Sequence, residues 1–478
     1  MRFEVRRRRP VMQNSRMRAA ICCVALVVAC LLSGNAHAQK TLSLEEAVAL
    51  AKRQNPEILI ARKQMEAARG GTIEARAGYL PAVVSSGLLR KRERAEESRL
   101  REDDYSASLR VVQNVYSGGA NAARLRIARL NEEKRTLELA AITDRVAMDL
   151  RIAYYELLLN RAKIGVREES VRVMQEEFKA QQERFVAGTV GEINVRRAEV
   201  ALANEQPELV EAQTRLQNSF LRINELCGVE TSTQRGAARF EPSGTLQYQP
   251  RRPDLPESLA YASVSRPEIK ARQIDIEIEE QQLIVDRSEL RPRVEAFSGY
   301  EVYSERDPEV GSNFNHGYVL GLNASWHLFD GFATRGRLQA TRARREAAAQ
   351  SLQAAQLAVE SEVRSAFLDL QQAHRILESE TQNVQNASES LEMARGNLGA
   401  GLGTQLDVLQ AAADLTRTRS TRLSAIYLHN VALARLARAT AREPEQLGFQ
   451  PRIASEAEAK RQAQLLDMAR PPAALNQR

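Results

Sequence analysis

The stretch that decides the fold is Gly399-Ala400-Gly401-Leu402-Gly403-Thr404-Gln405-Leu406-Asp407-Val408-Leu409-Gln410-Ala411. Three glycines interrupt a long helix-forming run there, and Thr404 restarts it. An echo lies at Val186-Ala187-Gly188-Thr189-Val190-Gly191-Glu192-Ile193-Asn194-Val195-Arg196-Arg197-Ala198. A shift of 213 residues places Ala187 on Ala400, Gly188 on Gly401, Val195 on Val408 and Ala198 on Ala411. Each turn closes a helix longer than a globular core can use.

Residues 120–185 and 333–398 contain no proline and almost no glycine. Each run predicts a helix on the order of 100 Å long. Apolar residues fall at 352, 355, 359, 363, 366, 370, 373 and 377, in mostly alternating steps of three and four. The same seam recurs 213 residues earlier as Leu139, Ile142, Val146, Leu150, Ala153 and Leu157, with Asn160 and Gln181 as polar interruptions. That spacing is coiled-coil packing. The remaining faces are rich in Arg, Glu and Gln, so these helices do not lie in lipid.

The duplication extends upstream. Leu44-Glu45-Glu46-Ala47 with Asn55-Pro56-Glu57-Ile58 matches Leu255-Pro256-Glu257-Ser258 with Arg266-Pro267-Glu268-Ile269, at an offset of 211. Pro81 falls on Pro292 at that offset, so two residues are gained before the glycine turns. Ser43 with Glu46 predicts a capping box. Pro81 and Pro292 each end a helix and introduce a strand. Two copies make a pseudo-symmetric unit rather than a solenoid.

The predicted strands alternate. Leu320, Leu322, Ala324, Trp326 and Leu328 share one face, against Asn323, Ser325 and His327. Tyr105, Ala107, Leu109 and Val111 oppose Ser106, Ser108 and Arg110. Such a strand suits a half-buried sheet, or a sheet with one face in lipid and one in water. Tyr79, Tyr105, Tyr116, Tyr300, Trp326 and Phe329 cluster around these strands although the chain is only 5% aromatic, as in the girdle of an outer-membrane barrel. The densely charged segment 90–104 and the polar segment 304–315 read as solvent loops.

Residues 1–38 read as a secretory signal peptide: Arg16 and Arg18, an apolar run over 19–32, and Ala36-His37-Ala38 before a cut at Gln39. The apolar run is too short to span a bilayer, which takes roughly 20 residues. Met12 or Met17 is a candidate start, and Val27-Val28-Ala29-Cys30 resembles a lipid-attachment site. The leader holds seven Arg and one Glu, six of the formal seven positive charges, so nucleic acid drops out as an inferred partner. Of four cysteines only Cys227 lies beyond the leader, which excludes an intramolecular disulfide and a cysteine metal site. The organisation is a first repeat at 39–228, a proline-rich connector at 229–254, a second repeat at 255–441, and a patternless tail at 442–478 that reads as disordered.

Four strands cannot close a barrel, and a membrane tolerates no open strand edges. If these strands span a membrane, several chains must pool them.

The leader, the duplicated Pro-Glu segments, Tyr116-Ser117-Gly118-Gly119 echoed by Phe329-Asp330-Gly331-Phe332, and the two glycine turns resemble the TolC outer-membrane efflux family over about residues 41–441. The resemblance implies a mainly α fold with a small β part. A homotrimer would join a twelve-stranded outer-membrane barrel to a twelve-helix periplasmic coiled-coil barrel. It implies an exit duct for drugs or other small molecules, docked on a periplasmic adaptor and an inner-membrane pump, with no cofactor. The alternatives are the outer-membrane component of a type I protein secretion system and, further off, a periplasmic adaptor.

The same resemblance places the pore entrance where the glycine turns meet. Asp407 matches the first acidic position of the family's Asp-x-x-Asp pattern, and Gln410 stands at the second. Three Asp407 carboxylates around a threefold axis would favour cations and raise one another's pKa; Thr404-x-x-Asp407 is equally a capping spacing. The family's Tyr–Arg–Asp latch positions read Leu398, Gly403 and Asn194, so that latch is absent. Gly188, Gly191, Gly401 and Gly403 would be turn tips that meet the adaptor, and Tyr105, Leu109, Val111, Leu320, Leu322 and Trp326 would lie on membrane strands. His316, His327, His374 and His429 are scattered without ligand spacing, and no nucleophile, phosphate-loop or metal motif appears. The sequence therefore reads as a transport protein rather than an enzyme.

Overall fold

A computed structural model describes residues 41–91, 103–229, 241–248, 250–304, 314–443 and 447. The expected signal peptide with Cys30, the greater part of both strand-connecting loops, and most of the tail lie outside the described residues.

The chain folds as two copies of one plan. Helix α1 (Leu44–Gln54) starts at Ser43, whose backbone N–H donates to Glu46 at 2.9 Å while Glu46 N–H donates to Ser43 Oγ at 3.1 Å. This is the predicted capping box. Asn55 ends α1 and caps α2 (Pro56–Ala77). Strands β2 (Ala82–Lys91) and β3 (Asp103–Tyr116), the long helix α3 (Ala120–Val186) and the returning helix α4 (Glu192–Cys227) follow. The second copy runs α5 (Leu255–Ser265), α6 (Pro267–Ser288), β5 (Arg293–Ser304), β6 (Phe314–Ser325), α7 (Ala333–Gly399) and α8 (Gln405–Thr440).

Helices of 11, 22, 67 and 36 residues recur in the same order in both copies. The net two-residue gain is a four-residue gain at the crossing from the second strand to the long helix, residues 117–119 in the first copy against 326–332 in the second, less two residues lost between the start of the first strand and the end of the second.

The four strands form one antiparallel sheet in the order β2-β3-β5-β6, so the two hairpins join through β3 and β5. Leu109 lies opposite Tyr300 and Val111 opposite Ser298. Among the described residues, β2 and β6 each keep one unpaired edge. Strand β6 stops at Ser325, one residue short of Trp326, because β5 begins at Arg293 and offers no partner beyond. Trp326 and Leu328, expected on that strand, belong to the turn that follows it. The Trp326 indole N–H donates to Leu290 O at 3.1 Å.

The predicted seam is the core. Val146, Leu150, Ala153 and Leu157 of α3 are buried against α1 and α4. Leu352, Val359, Val363, Ala366 and Leu370 of α7 are buried against α5, α6 and α8. A fully buried Leu or Val contributes about 1.5–3 kcal/mol. Leu447 joins the second cluster, the Arg442 guanidinium donates to Glu257 at 2.9 Å, and Glu443 pairs with Arg151. These first residues of the expected tail are therefore docked.

A strap from the connector ties the copies together. Strands β1 (Thr41–Leu42) and β4 (Glu241–Pro242) pair in parallel, and the Tyr154 hydroxyl lies 2.9 Å from Leu42 O and 2.7 Å from Ser243 O. Further along, Asn430 of α8 donates to Gln247 O at 3.1 Å and Tyr248 shares a hydrogen bond with His374 Nδ1 at 2.8 Å. The Tyr248 ring also meets buried His429 edge-on, with centroids 4.7 Å apart. Two of the scattered histidines thus have packing roles.

Candidate functional site

Two places concentrate the candidate residues: the helix turns at one end and the sheet at the other. In the first turn Gly188 adopts φ +73°, and Thr189 N–H donates to Arg184 O at 2.9 Å. In the second Gly401 adopts φ +71°, and Leu402 N–H donates to Asn397 O at 2.9 Å. That left-handed backbone favours glycine. Gly191 has an ordinary φ and serves as N-cap of α4 without a side-chain bond. Gly403 also has no positive φ, but a Cβ there would lie 3.1 Å from the Asn397 Cβ, so the position favours glycine for space.

Asp407 forms a complete capping box with Thr404. Its carboxylate accepts from the Thr404 N–H at 2.8 Å and from the hydroxyl at 2.7 Å, and its own N–H donates to Thr404 Oγ1 at 3.3 Å. The Thr404 hydroxyl, then its backbone N–H, holds this carboxyl below the ordinary value. Within one chain the pKa therefore moves opposite to the rise that neighbouring carboxylates would cause. Asp407 and Gln410 are both exposed.

The two hairpin ends are packed together. Met174 of α3, Leu391 of α7 and Val408, Ala411, Ala412 and Leu415 of α8 form one buried cluster. Leu398, at the absent latch's first position, packs against it as an apolar side chain, while Asn194 is half-buried near the start of α4. Gln405, which the sequence did not single out, is buried with neither amide atom hydrogen-bonded. Nothing local marks it: its burial follows from how α8 docks.

At the other end the register sorts the strand residues by face. Leu89, Leu109, Val111, Tyr300, Leu320 and Leu322 share one face, and all are exposed. Tyr318 on the same face is 93% exposed, and Tyr105 also lies on it. The opposite face is mixed, with Val84, Leu88 and Phe297 beside polar and charged side chains. Ser86 and Ser108 hydroxyls lie 2.8 Å apart, and Arg110 pairs with Glu301. The latter pair is not predictable from either strand alone, because its partners come from different copies.

Aromatic side chains flank the band. Tyr105 and Phe314 stand near one end, and Tyr79, Tyr116, Trp326 and Phe329 near the other, all exposed, while Tyr318 lies level with Tyr300 and Leu109 in mid-sheet. No helix among the described residues is long and apolar enough to cross a membrane. No cluster of three or more His, Cys, Asp or Glu suited to a metal ion occurs among the described residues.

A family model described as "Outer membrane efflux protein" matches residues 47–229 and 259–442. Protein CyaE of Bordetella pertussis is 26% identical over 403 residues, covering 83% of this chain and 84% of that one. The cobalt-zinc-cadmium resistance protein CzcC of Cupriavidus metallidurans is 23% identical over 380 residues, covering 79% of this chain and 85% of its own. Among solved structures, the outer membrane protein VceC of Vibrio cholerae superposes with a TM-score of 0.72 at 20% identity, covering 85% of this chain and 97% of that one.

Proposed function

Since this chain belongs to the outer membrane efflux protein family, whose members are channels and not enzymes, we propose that three copies assemble into one duct. Three four-stranded sheets would close a twelve-stranded barrel in the outer membrane, and the long helix pairs would continue it into the periplasm. The observation that carries this reading is the sheet itself. Its exposed face is apolar, its other face holds Arg110 and Glu301, and both outer edges are unpaired among the described residues. A membrane-spanning sheet needs a lipid face, a water face and closure.

The turns would lie at the periplasmic end and form the entrance. Gly188, Gly191, Gly401 and Gly403 are the tips offered to a periplasmic adaptor, which links the duct to an inner-membrane pump. Threefold symmetry would set three Asp407 carboxylates around the opening, where they attract cations. Closure would rest on packing of Leu398 against the Val408–Leu415 cluster rather than on a Tyr–Arg–Asp latch. The cargo is taken to be small solutes, in keeping with a relative named for cobalt, zinc and cadmium resistance.

Conductance of the purified protein in planar bilayers, wild type beside Asp407→Ala, tests this. A cation-selective pore whose selectivity weakens about two- to fivefold in the variant is expected. Unchanged selectivity would reduce Asp407 to a helix cap, and trimeric protein that never inserts would overturn the channel.

A further inference from the structure

The polar face of the sheet carries a feature that neither the turns nor the lipid face requires. Arg110 sits midway along β3, five residues from Tyr105 and six from Tyr116. At about 3.3 Å per residue it lies roughly 17–20 Å from each aromatic end, at the depth of a bilayer centre. A charged side chain on the lipid face is most unfavourable at that depth, so Arg110 belongs to the water side.

Its position there is built. Arg110 pairs with Glu301 across the junction between the two copies, and its guanidinium carbon lies 5.5 Å from the Phe297 ring centroid. Gly299 stands opposite Arg110, and Gly321 opposite Phe297. A Cβ at Gly299 would fall 2.3 Å from Leu109 O and 2.9 Å from Arg110 Cγ. A Cβ at Gly321 would fall 2.6 Å from Phe297 Cζ. Each large side chain therefore lies down over a glycine on the neighbouring strand instead of standing up from the sheet. The ion pair and the neighbouring ring fix the guanidinium beside the sheet.

We propose that Arg110, Glu301 and Phe297 form a self-neutralised girdle of the barrel lumen, and that the paired, flattened arrangement keeps the mid-membrane passage wide and nearly indifferent to the sign of the cargo's charge. The inference rests on the barrel reading above. It separates the two ends of the duct: exposed carboxylates capped by Thr404 at the entrance, ion-paired charges in the membrane. Three copies place three such pairs around the lumen, so losing one partner uncovers three like charges at one depth. Charge rings of that kind set ion preference in pores.

Cation-to-anion permeability ratios, measured under a salt gradient with detergent-purified trimers, test the girdle. The set is wild type, Glu301→Gln, Arg110→Gln and the double variant, each also in an Asp407→Ala background so that the entrance does not mask the lumen. Glu301→Gln is expected to lower the ratio at least about twofold, Arg110→Gln to raise it by a similar factor, and the double variant to return near wild type. Arg110→Gln alone carries the test if Glu301→Gln does not assemble. Conducting pores with the same ratio in all four would overturn the girdle and leave the channel standing. Trimers that insert but never conduct, with the tips freed by substitution, would overturn both.

Discussion

The two copies share helix lengths residue for residue, yet they fasten corresponding joints differently. At the joint between the short helices and the returning helix, the first copy uses Asn55. Its amide donates to Leu226 O at 2.8 Å, and its carbonyl oxygen accepts from Glu57 and Ile58 N–H groups. The second copy has Arg266 at the equivalent place. That guanidinium donates to Arg438 O at 2.8 Å and to Glu362 at 2.9 Å, with Glu268 and Arg438 completing a network. Both side chains reach a carbonyl in the last turn of the returning helix. The fold requires that contact and is indifferent to whether a neutral amide or a charge network supplies it.

The helix ends differ in the same manner. Gly228 closes α4 at φ +68°, with Gln54 O 2.4 Å from where a Cβ would stand. Ala441 closes α8 at φ +53° and carries a real Cβ. In the seam, Asn160 of α3 donates to Ser219 Oγ of α4 at 2.7 Å, whereas their counterparts 213 residues on are Ala373 and Ala432, both buried.

Three pairs of substitutions, read by thermal unfolding of the detergent-purified protein, break or sharpen this comparison. The largest effect is expected at Arg266→Ala, which strands Glu362 and Glu268 beside one remaining arginine. The two carboxylates are about one-third exposed, so the cost is put at ~2–4 kcal/mol, against ~1–2 for Asn55→Ala, which removes a cap and one buried bond. Equal losses would show that the charges add nothing beyond the shared contact.

Next comes Gly228→Ala, where strained backbone and a collision with Gln54 together cost ~2–3 kcal/mol. Its mirror, Ala441→Gly, relieves left-handed strain and should stabilise by ~0.5–1 kcal/mol. A gain from Gly228→Ala would mean that the two ends are interchangeable.

The smallest effect is at the polar seam pair. Asn160→Ala should cost ~1–2 kcal/mol by removing a buried bond and leaving a gap. Adding Ser219→Ala should recover part of the loss, since Ala373 and Ala432 show that this seam closes without polar groups. A double variant weaker than the sum of the singles would assign the pair a role that its counterpart lacks.

What the sequence determined by itself was everything set by local period. The helix lengths, the turns at Gly188 and Gly401, the capping boxes at Ser43 and Thr404 and the seam residues all follow from steps of two, three and four along one chain. The candidate entrance was legible for that reason, since Asp407, Leu398 and the tip glycines sit on or beside a turn. Tertiary structure alone decided which distant segments meet. It set the strand order β2-β3-β5-β6, ended β6 before Trp326, buried Gln405, docked Arg442 and Leu447, and brought Arg110 of one copy to Glu301 of the other. Residues nearly two hundred positions apart leave no periodic trace of one another, because their pairing is fixed by the register of a sheet and the docking of helices.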